Sequence, residues 1–181
     1  ALNANLRSME WPWQYNFPPF FTLQPNEDTR NKQLEAWRNL ALEYCKANKQ
    51  FILDINEAYS CPLFNNKSIN RKLSEEGIRT VVESLRDRKA ANWVDTQKSK
   101  FYVFWHTPEE WGNLIYNWAN ANGMMNSVCT FFELSQGEDT ANEEFHNLDE
   151  GLLLLALKSL ESKRKAEIIQ LDEETQGVKF F

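Results

Sequence analysis

The chain has 181 residues, of which 42% are hydrophobic and 13% aromatic, so it can build packed cores and is not a disordered sequence. Its longest uninterrupted apolar run, at 152–157, is far shorter than the roughly 20 residues that cross a bilayer, which excludes an integral membrane protein. The net charge is −6, and residues 106–181 hold 5 basic and 14 acidic side chains, which would repel a phosphate backbone at long range.

The beginning of the chain divides into two segments. Residues 1–8 lack the features of a signal peptide and are interpreted as an added extension, with Met9 as the native start. Residues 9–26 form an arm with an aromatic residue at every second position from Trp11 to Phe17, followed by Pro18-Pro19-Phe20-Phe21. Aromatics at this period cannot line one face of a helix, and prolines favour β or polyproline backbone, so the arm is predicted to be extended.

A first domain is predicted at 27–105. Apolar residues at three- and four-residue spacing indicate a helix from Asp28 to about Ala47. A short β run, a short helix, a longer helix capped by Ser74 and a two-stranded hairpin follow this helix. These elements are predicted at 51–55, near 68–72, from 74 onward, and at 92–94 with 100–105.

A second domain at 106–181 repeats this order. Thr107-Pro108-Glu109-Glu110 combines an N-cap residue, a first-turn proline and a glutamate three residues after the cap, which predicts a helix that stops near Gly123. Thr130 opens a short helix that ends near Gly137, and Asp149 caps a longer one. A closing hairpin is predicted at 166–171 and 178–181.

Each half therefore reads as helix, short strand or turn, short helix, helix and hairpin. This is the order of a winged helix, and its appearance twice strengthens the interpretation. We predict a helix-rich α+β protein with two tandem winged-helix domains, 27–105 and 106–181, preceded by the extended arm at 9–26.

A winged helix often binds DNA, because its third helix can enter the major groove. Here the third helix of the second domain, from Gly151, offers almost no donors to base edges, and the loop before it is acidic. In the first domain, basic residues such as Arg79 alternate with acidic ones such as Glu83, a pattern typical of a solvated surface. No nucleic-acid partner is therefore expected, and a nucleic-acid-binding tandem winged helix is kept as the alternative.

Residues that carry chemistry are sparse. The two histidines have no Cys or His neighbour at metal-ligand spacing, and the six glycines form no phosphate-binding loop. The three cysteines are an odd number without paired spacing, which indicates a reducing compartment. The sequence predicts a cytosolic protein that is not an enzyme and has no catalytic residue, metal or cofactor.

The arm carries the strongest functional signal, because six aromatic side chains lie between residues 10 and 21. Burying one large apolar side chain is worth roughly 1.5 to 3 kcal/mol, so these rings need a place to pack. Trp11 and Trp13 are expected to close over the first domain. The stiff Pro18-Pro19 segment lowers the entropy cost of presenting Phe20 and Phe21, which we predict to enter a partner, with burial on the chain itself as the alternative.

Several motifs along the chain are distinctive. They are Glu10-Trp-Pro-Trp-Gln-Tyr-Asn-Phe-Pro-Pro-Phe-Phe, Ser60-Cys-Pro-Leu-Phe-Asn-Asn, Pro108-Glu-Glu-Trp-Gly-Asn-Leu-Ile-Tyr, Gly137-Glu-Asp-Thr and Gly177-Val-Lys-Phe-Phe. Together they closely resemble the small subunit of the endosomal sorting complex ESCRT-II. The resemblance implies a non-enzymatic scaffold of two winged-helix domains, in a complex with two larger winged-helix subunits. It also implies a cytoplasmic protein that reaches the endosomal membrane indirectly and helps to sort ubiquitinated cargo to multivesicular bodies.

The resemblance further implies two partner sites. The proline-rich motif that packs into pockets on the larger subunits falls on Pro18, Pro19, Phe20 and Phe21. Some relatives end this motif in Tyr, so Phe21 lacks a hydroxyl that could form a hydrogen bond, and this also argues against a WW-domain ligand.

The second implied site is in the second domain, which would capture an N-terminal helix of the ESCRT-III subunit that initiates filament assembly. We predict this site in the short-helix region, where Phe131 or Phe132 would grip apolar side chains and acidic residues would meet a basic helix. The predicted contact residues are Thr130, Phe131, Glu133, Glu138 and Asp139.

Overall fold

The computed structural model describes residues 9–181, so the interpretation of residues 1–8 as an extension concerns a segment outside the described residues. The chain divides into two compact units that meet between Trp105 and His106, and we call them unit 1 and unit 2. Their assignment as winged-helix domains stays a prediction. No helix in the described part of the chain combines the length and apolarity that a bilayer crossing requires.

The arm is not extended, and this prediction is wrong. It forms two 3-10 turns, Trp13–Asn16 and Pro18–Phe21. Proline suits the first position of the second turn, because its fixed φ fits and no amide hydrogen is needed there. The amides of Phe17 and Phe20 donate to the carbonyls of Gln14 and Phe17 at 2.9 and 3.0 Å, so the backbone turns back on itself.

Unit 1 begins with a long helix, α1 (Glu27–Asn48), which is capped by the Asn26 side chain and not by Asp28. The predicted short helix near 68–72 is wrong, because these residues belong to a small hairpin. The short helix comes earlier, directly after the first strand, and Asp54 caps it through the amide of Asn56 at 2.8 Å. The elements are β1 (Ile52–Asp54), α2 (Ile55–Ala58), β2 (Asn65–Asn66) and β3 (Arg71–Lys72).

The second half of unit 1 follows the prediction more closely. Helix α3 (Glu75–Asp87) is capped by Ser74, whose hydroxyl accepts from the Gly77 amide at 3.0 Å. Strands β4 (Ala91–Trp93) and β5 (Lys100–Val103) form the closing hairpin. Strand β1 pairs on the other edge, which gives the antiparallel order β1-β5-β4.

Unit 2 repeats this arrangement. The predicted capping box at the start of α4 (Pro108–Ala121) is confirmed, since the Thr107 and Glu110 side chains each accept from the other residue's amide. Thr130 and Asp149 also cap the helices predicted for them. The other elements are β6 (Val128–Thr130), α5 (Phe131–Gln136), α6 (Glu150–Ser162), β7 (Ala166–Gln170) and β8 (Gln176–Phe180).

In both units the last strand lies in the middle of a three-stranded antiparallel sheet, and the order in unit 2 is β6-β8-β7. In unit 2, helices α4 and α6 approach closely at Gly112. A Cβ on this residue would lie only 2.8 Å from the Ala156 carbonyl oxygen, so the approach requires glycine. The mixed fold of helices and sheets is confirmed, and its strand order supports the winged-helix interpretation.

Candidate functional site

Phe20 and Phe21 lie inside unit 1, with exposed fractions of 2% and 4%. The Phe20 ring stacks on Trp37 with centroids 4.1 Å apart and planes 5° apart, and Phe21 meets the same indole edge-on at 5.3 Å. Both rings are therefore already covered in the chain without a partner, and the prediction that a partner contacts Pro18, Pro19, Phe20 and Phe21 stays a prediction. The physical reason for their burial is that the 3-10 turn directs both rings onto a buried tryptophan, so they are removed from water without a partner.

Polar groups of unit 1 hold the arm in this position. The Trp37 indole donates to the Phe20 carbonyl at 3.1 Å. The Gln33 side chain donates to the carbonyls of Pro19 and Thr22 at 3.1 and 3.2 Å, and accepts from the Gln24 amide at 2.9 Å. The arm is therefore an ordered part of unit 1 on both its apolar and its polar side.

The outward side of the arm carries a different pair of rings. Trp13 is 70% exposed and Phe17 is 48% exposed, and their ring centroids lie 5.6 Å apart. Pro18 and Pro19 follow directly and are also exposed. We call Trp13, Phe17, Pro18 and Pro19 the arm face.

Of the two tryptophans expected to close over the first domain, only Trp11 does so. Its ring stacks on Tyr15 at 4.0 Å and packs against the core of unit 1. Burial raises the pKa of Tyr15 to about 12, with a smaller contribution from Cys61, so its hydroxyl stays protonated and donates to the Pro62 carbonyl. Trp13 was expected to be covered and is not, which places it with Phe17 on the arm face.

The site predicted in unit 2 is only partly assembled as expected. Thr130 caps α5 by accepting from the Glu133 amide at 3.0 Å. Phe131 is 8% exposed and belongs to the core, whereas Phe132 is 66% exposed. Of the two candidate rings, Phe132 is the one that solvent, or a partner, can reach.

A groove with a volume of about 320 Å³ lies beside Phe132. Three elements form it: α5, the start of α6, and the turn between β7 and β8. Its lining includes Thr130, Phe131, Phe132, Leu148, Glu150, Leu153, Glu174 and Gln176. Glu133, Glu138 and Asp139 are exposed but do not line this groove, so the predicted acidic contacts and the groove are separate features.

An apolar patch lies over β8 and includes Val128 of β6, the strand whose last residue, Thr130, lines the groove. Gly177 pairs with Thr130, and a Cβ at this glycine would lie 3.0 Å from both Leu171 and Val128. The missing side chain lets Leu171 and Val128 meet over β8, where they are 47% and 45% exposed. We call Val128 and Leu171 the unit 2 apolar patch.

One carboxylate of the β7–β8 turn, Asp172, is held in its charged state. The amides of Glu174 and Thr175 donate to Asp172 at 2.9 and 2.7 Å and lower the pKa of its carboxyl group. On the other side, burial raises the pKa of the Cys129 thiol, and the negative charges of Glu133 and Asp139 add to the effect. The region therefore combines exposed apolar side chains with fixed negative charge, and the cysteine in it stays a neutral thiol.

The sequence missed the contribution of the β7–β8 turn to this groove. Asp172, Glu173 and Glu174 form an acidic run that is visible in the sequence. Nothing local, however, shows that this turn lies beside α5, which is about 40 residues earlier. The pairing of β8 with both β6 and β7 brings them together.

Three of the basic residues that supported the nucleic-acid alternative are paired with acids. Arg79 meets Glu75 at 3.1 Å, and Glu83 receives Arg86 at 3.0 Å and Lys98 at 3.6 Å. These pairs neutralise part of the positive charge on α3 and the β4–β5 turn that phosphates would meet. Within residues 9–181, no group of His, Cys, Asp and Glu side chains is arranged to hold a metal ion.

Comparisons with known proteins agree with one another. A sequence model of the family described as ESCRT-II complex subunit matches residues 14–149. The chain is 56% identical to vacuolar protein-sorting-associated protein 25 of Xenopus laevis, covering 95% of this chain and 98% of that protein. It is 54% identical to the protein of the same name from Homo sapiens, covering 96% and 98%.

Solved structures give the same result for the fold. A crystal structure of subunit VPS25 of the endosomal trafficking complex ESCRT-II aligns with a TM-score of 0.84 at 30% identity, covering 93% of this chain and 97% of that chain. A crystal structure of the endosomal complex ESCRT-II (VPS22/VPS25/VPS36) contains a chain that aligns with a TM-score of 0.81 at 29% identity, covering 93% and 98%.

Proposed function

We propose, from the premise that this chain belongs to the family of ESCRT-II complex subunits, that it is a non-enzymatic scaffold of ESCRT-II in endosomal sorting of ubiquitinated cargo. Two surfaces would do this work. The arm face docks on the larger subunits, and unit 2 recruits the initiating ESCRT-III subunit. The protein would be cytoplasmic and would reach the endosomal membrane through its partners.

The observation that carries this proposal is the arm face. A tryptophan that is 70% exposed beside a phenylalanine that is 48% exposed leaves a large apolar area in water on an ordered segment. Aromatic side chains of this kind, next to exposed prolines, are typical anchors of protein interfaces. A related complex is described as VPS22/VPS25/VPS36, so the pockets that receive the arm face would belong to the counterparts of VPS22 and VPS36.

Mass measurement tests the assembly directly. The full chain, mixed with the two larger ESCRT-II subunits, is expected to elute as one complex whose mass includes all three proteins. The chain alone is the reference. Elution of this chain at its own mass of 21.3 kDa in the presence of both partners would refute the scaffold role.

The groove and apolar patch of unit 2 support the second half of the proposal. An amphipathic helix binds by laying its apolar side into a groove, and a basic helix is favoured where the rim is acidic. Phe132, Leu171 and Val128 provide the apolar contacts. Glu150 and Glu174 provide the charge inside the groove lining.

Neutralising the two groove carboxylates is expected to weaken binding of the ESCRT-III helix. Glu150→Gln with Glu174→Gln removes the charges that meet the basic helix, and we expect an affinity about tenfold lower, mainly through slower association. The difference should shrink at high salt. Binding of a fluorescently labelled peptide of that helix to the full chain measures it.

The matched control removes the same charge elsewhere in unit 2. Glu138→Gln with Asp139→Asn also deletes two carboxylates, but neither residue lines the groove. If the groove is the binding site, the control pair should lower the affinity for the ESCRT-III helix less than the Glu150 and Glu174 pair does. A larger effect for the control pair would move the site to the residues that the sequence predicted.

A further inference from the structure

Asn66 is a buried polar side chain of unit 1 that reaches from a hairpin to the arm. Across the described residues, the buried polar side chains are Asn66, Ser135 and Thr140, and only Asn66 belongs to unit 1. It is 3% exposed and lies in β2, within the motif Pro-Leu-Phe-Asn-Asn. Burial of an amide group is unfavourable unless its donors and acceptors are bonded, so its partners indicate its role.

The two ends of the Asn66 amide have separate tasks. The oxygen Oδ1 accepts from the Ser68 amide at 3.1 Å and from the Ser68 hydroxyl at 2.7 Å, which fixes the local turn. The nitrogen Nδ2 donates to the carbonyl of Tyr15 at 2.7 Å and lies 3.5 Å from the Asn16 side-chain oxygen. This second set of contacts spans about 50 residues and reaches the arm.

The bonded carbonyl lies inside the turn that carries the exposed rings. Tyr15 and Asn16 belong to the 3-10 turn Trp13–Asn16, between Trp13 and Phe17 of the arm face. The Tyr15 hydroxyl donates to the Pro62 carbonyl, so the same hairpin region holds this turn from two sides. Phe20 and Phe21 belong to the next turn, and of this first turn the Phe21 ring reaches Tyr15, at a centroid distance of 5.9 Å.

We propose that Asn66 is a positioning residue that keeps the arm face preformed for its partner, an inference that rests on the proposed docking of the arm. A ligand whose competent conformation is only partly populated binds more weakly in proportion to that population. Asn66 raises the fraction of free chains in which the arm face is already in its binding conformation. It does so because it bonds the Tyr15 carbonyl, which would otherwise be free to turn toward water. Its effect on docking therefore lies in the association step.

The substitution Asn66→Asp separates the two tasks of this amide. The aspartate keeps the oxygen that accepts from Ser68, but it places a second oxygen against the Tyr15 carbonyl, where the donor was. We expect association with the larger subunits to slow about tenfold, with dissociation changed less than about twofold. Stopped-flow or surface-based kinetics on the full chain with the two larger subunits measures both rates.

The neighbouring residue supplies a matched control. Asn65→Asp makes the same chemical change one position earlier in β2, on the side of the strand that does not reach the arm. It is expected to leave both rates unchanged. Equal slowing by Asn65→Asp would show an effect of charge alone and would overturn the proposal, as would faster dissociation without slower association in Asn66→Asp.

A second variant covers the case in which Asn66→Asp does not fold. Tyr15→Phe deletes only the hydroxyl that reaches Pro62 and should slow association in the same direction. Hydrogen exchange on the free chain provides a readout without any partner. The amides of Tyr15 and Phe17, which donate to the carbonyls of Pro12 and Gln14, should exchange faster in either variant than in the parent chain.

The outcomes distinguish this inference from the function on which it rests. Faster exchange in the arm with unchanged association would refute the role of Asn66 while leaving arm docking intact. Unchanged exchange would show that Asn66 does not hold the turn. Whether the arm docks at all is tested separately by substitutions in the arm face, which leave Asn66 unchanged.

Discussion

Phe20→Ala is expected to destabilise unit 1 by about 3 to 5 kcal/mol, the range for removing a fully buried aromatic side chain. The Phe20 ring is 2% exposed and stacks on Trp37, which is itself completely buried, so its removal leaves a cavity between the arm and α1. The Trp37 indole would keep its bond to the Phe20 carbonyl only if the backbone of the turn stayed in place. Urea unfolding, with hydrogen exchange of the α1 amides to isolate unit 1, measures the loss.

Phe17→Ala is the matched control on the same arm. The ring of Phe17 is 48% exposed, so its removal is expected to change the unfolding free energy of unit 1 by less than about 1 kcal/mol. Equal stability of the Phe20→Ala variant and the parent chain would contradict the burial of the arm. A partner-binding defect of Phe20→Ala would be uninformative by itself, since the variant disturbs the whole arm.

Features that depend on a few adjacent residues could be predicted from the sequence. The helix starts at Ser74 and Thr107 were found because a cap is a contact between residues three positions apart. The order of helices and strands in both halves follows from these starts and from apolar spacing. The strand order in each sheet could be expected only through the winged-helix interpretation.

Features that depend on distant contacts were missed or wrong. The aromatic residues of the arm were recognised, but which rings face inward depends on Trp37, Gln33 and Asn66, whose bonds to Phe20, Pro19 and Tyr15 span 14 to 51 residues of the chain. Residues 68–72 of the hairpin at 65–72 were predicted as a short helix, because the two-residue strands are too short to show alternation. Period-2 spacing of aromatics also failed to indicate an extended arm, since two 3-10 turns place Trp13 and Phe17 on one side.

Distant contacts also decide which residues of unit 2 form the groove. Phe131 and Phe132 are adjacent, and the sequence alone does not say which of them is buried. Helix α5 directs Phe131 to the core and Phe132 to solvent, beside an acidic turn from the other end of the unit. The acidic character of the region was visible, whereas the groove exists only after the sheet has formed.

Trp13→Ala combined with Phe17→Ala is expected to abolish binding to the larger ESCRT-II subunits while unit 1 stays folded. Interface anchors of this type contribute about 2 kcal/mol or more each when truncated, so the pair should weaken binding by roughly a thousandfold. Both rings are already largely in water in the free chain, so stability should change little. Pull-down followed by calorimetry with the two larger subunits measures the loss.

Phe132→Ala in unit 2 is the matched control for the Trp13 and Phe17 double variant. It also removes a mostly exposed aromatic ring, since Phe132 is 66% exposed. The arm variant should lose the larger subunits and keep the ESCRT-III helix, and Phe132→Ala should do the reverse. Two separate losses would show that the chain carries two independent docking surfaces on two units. If the Trp13 and Phe17 double variant still bound the larger subunits, the exposed rings would not be the anchors. The variant changes nothing else that could restore the lost binding.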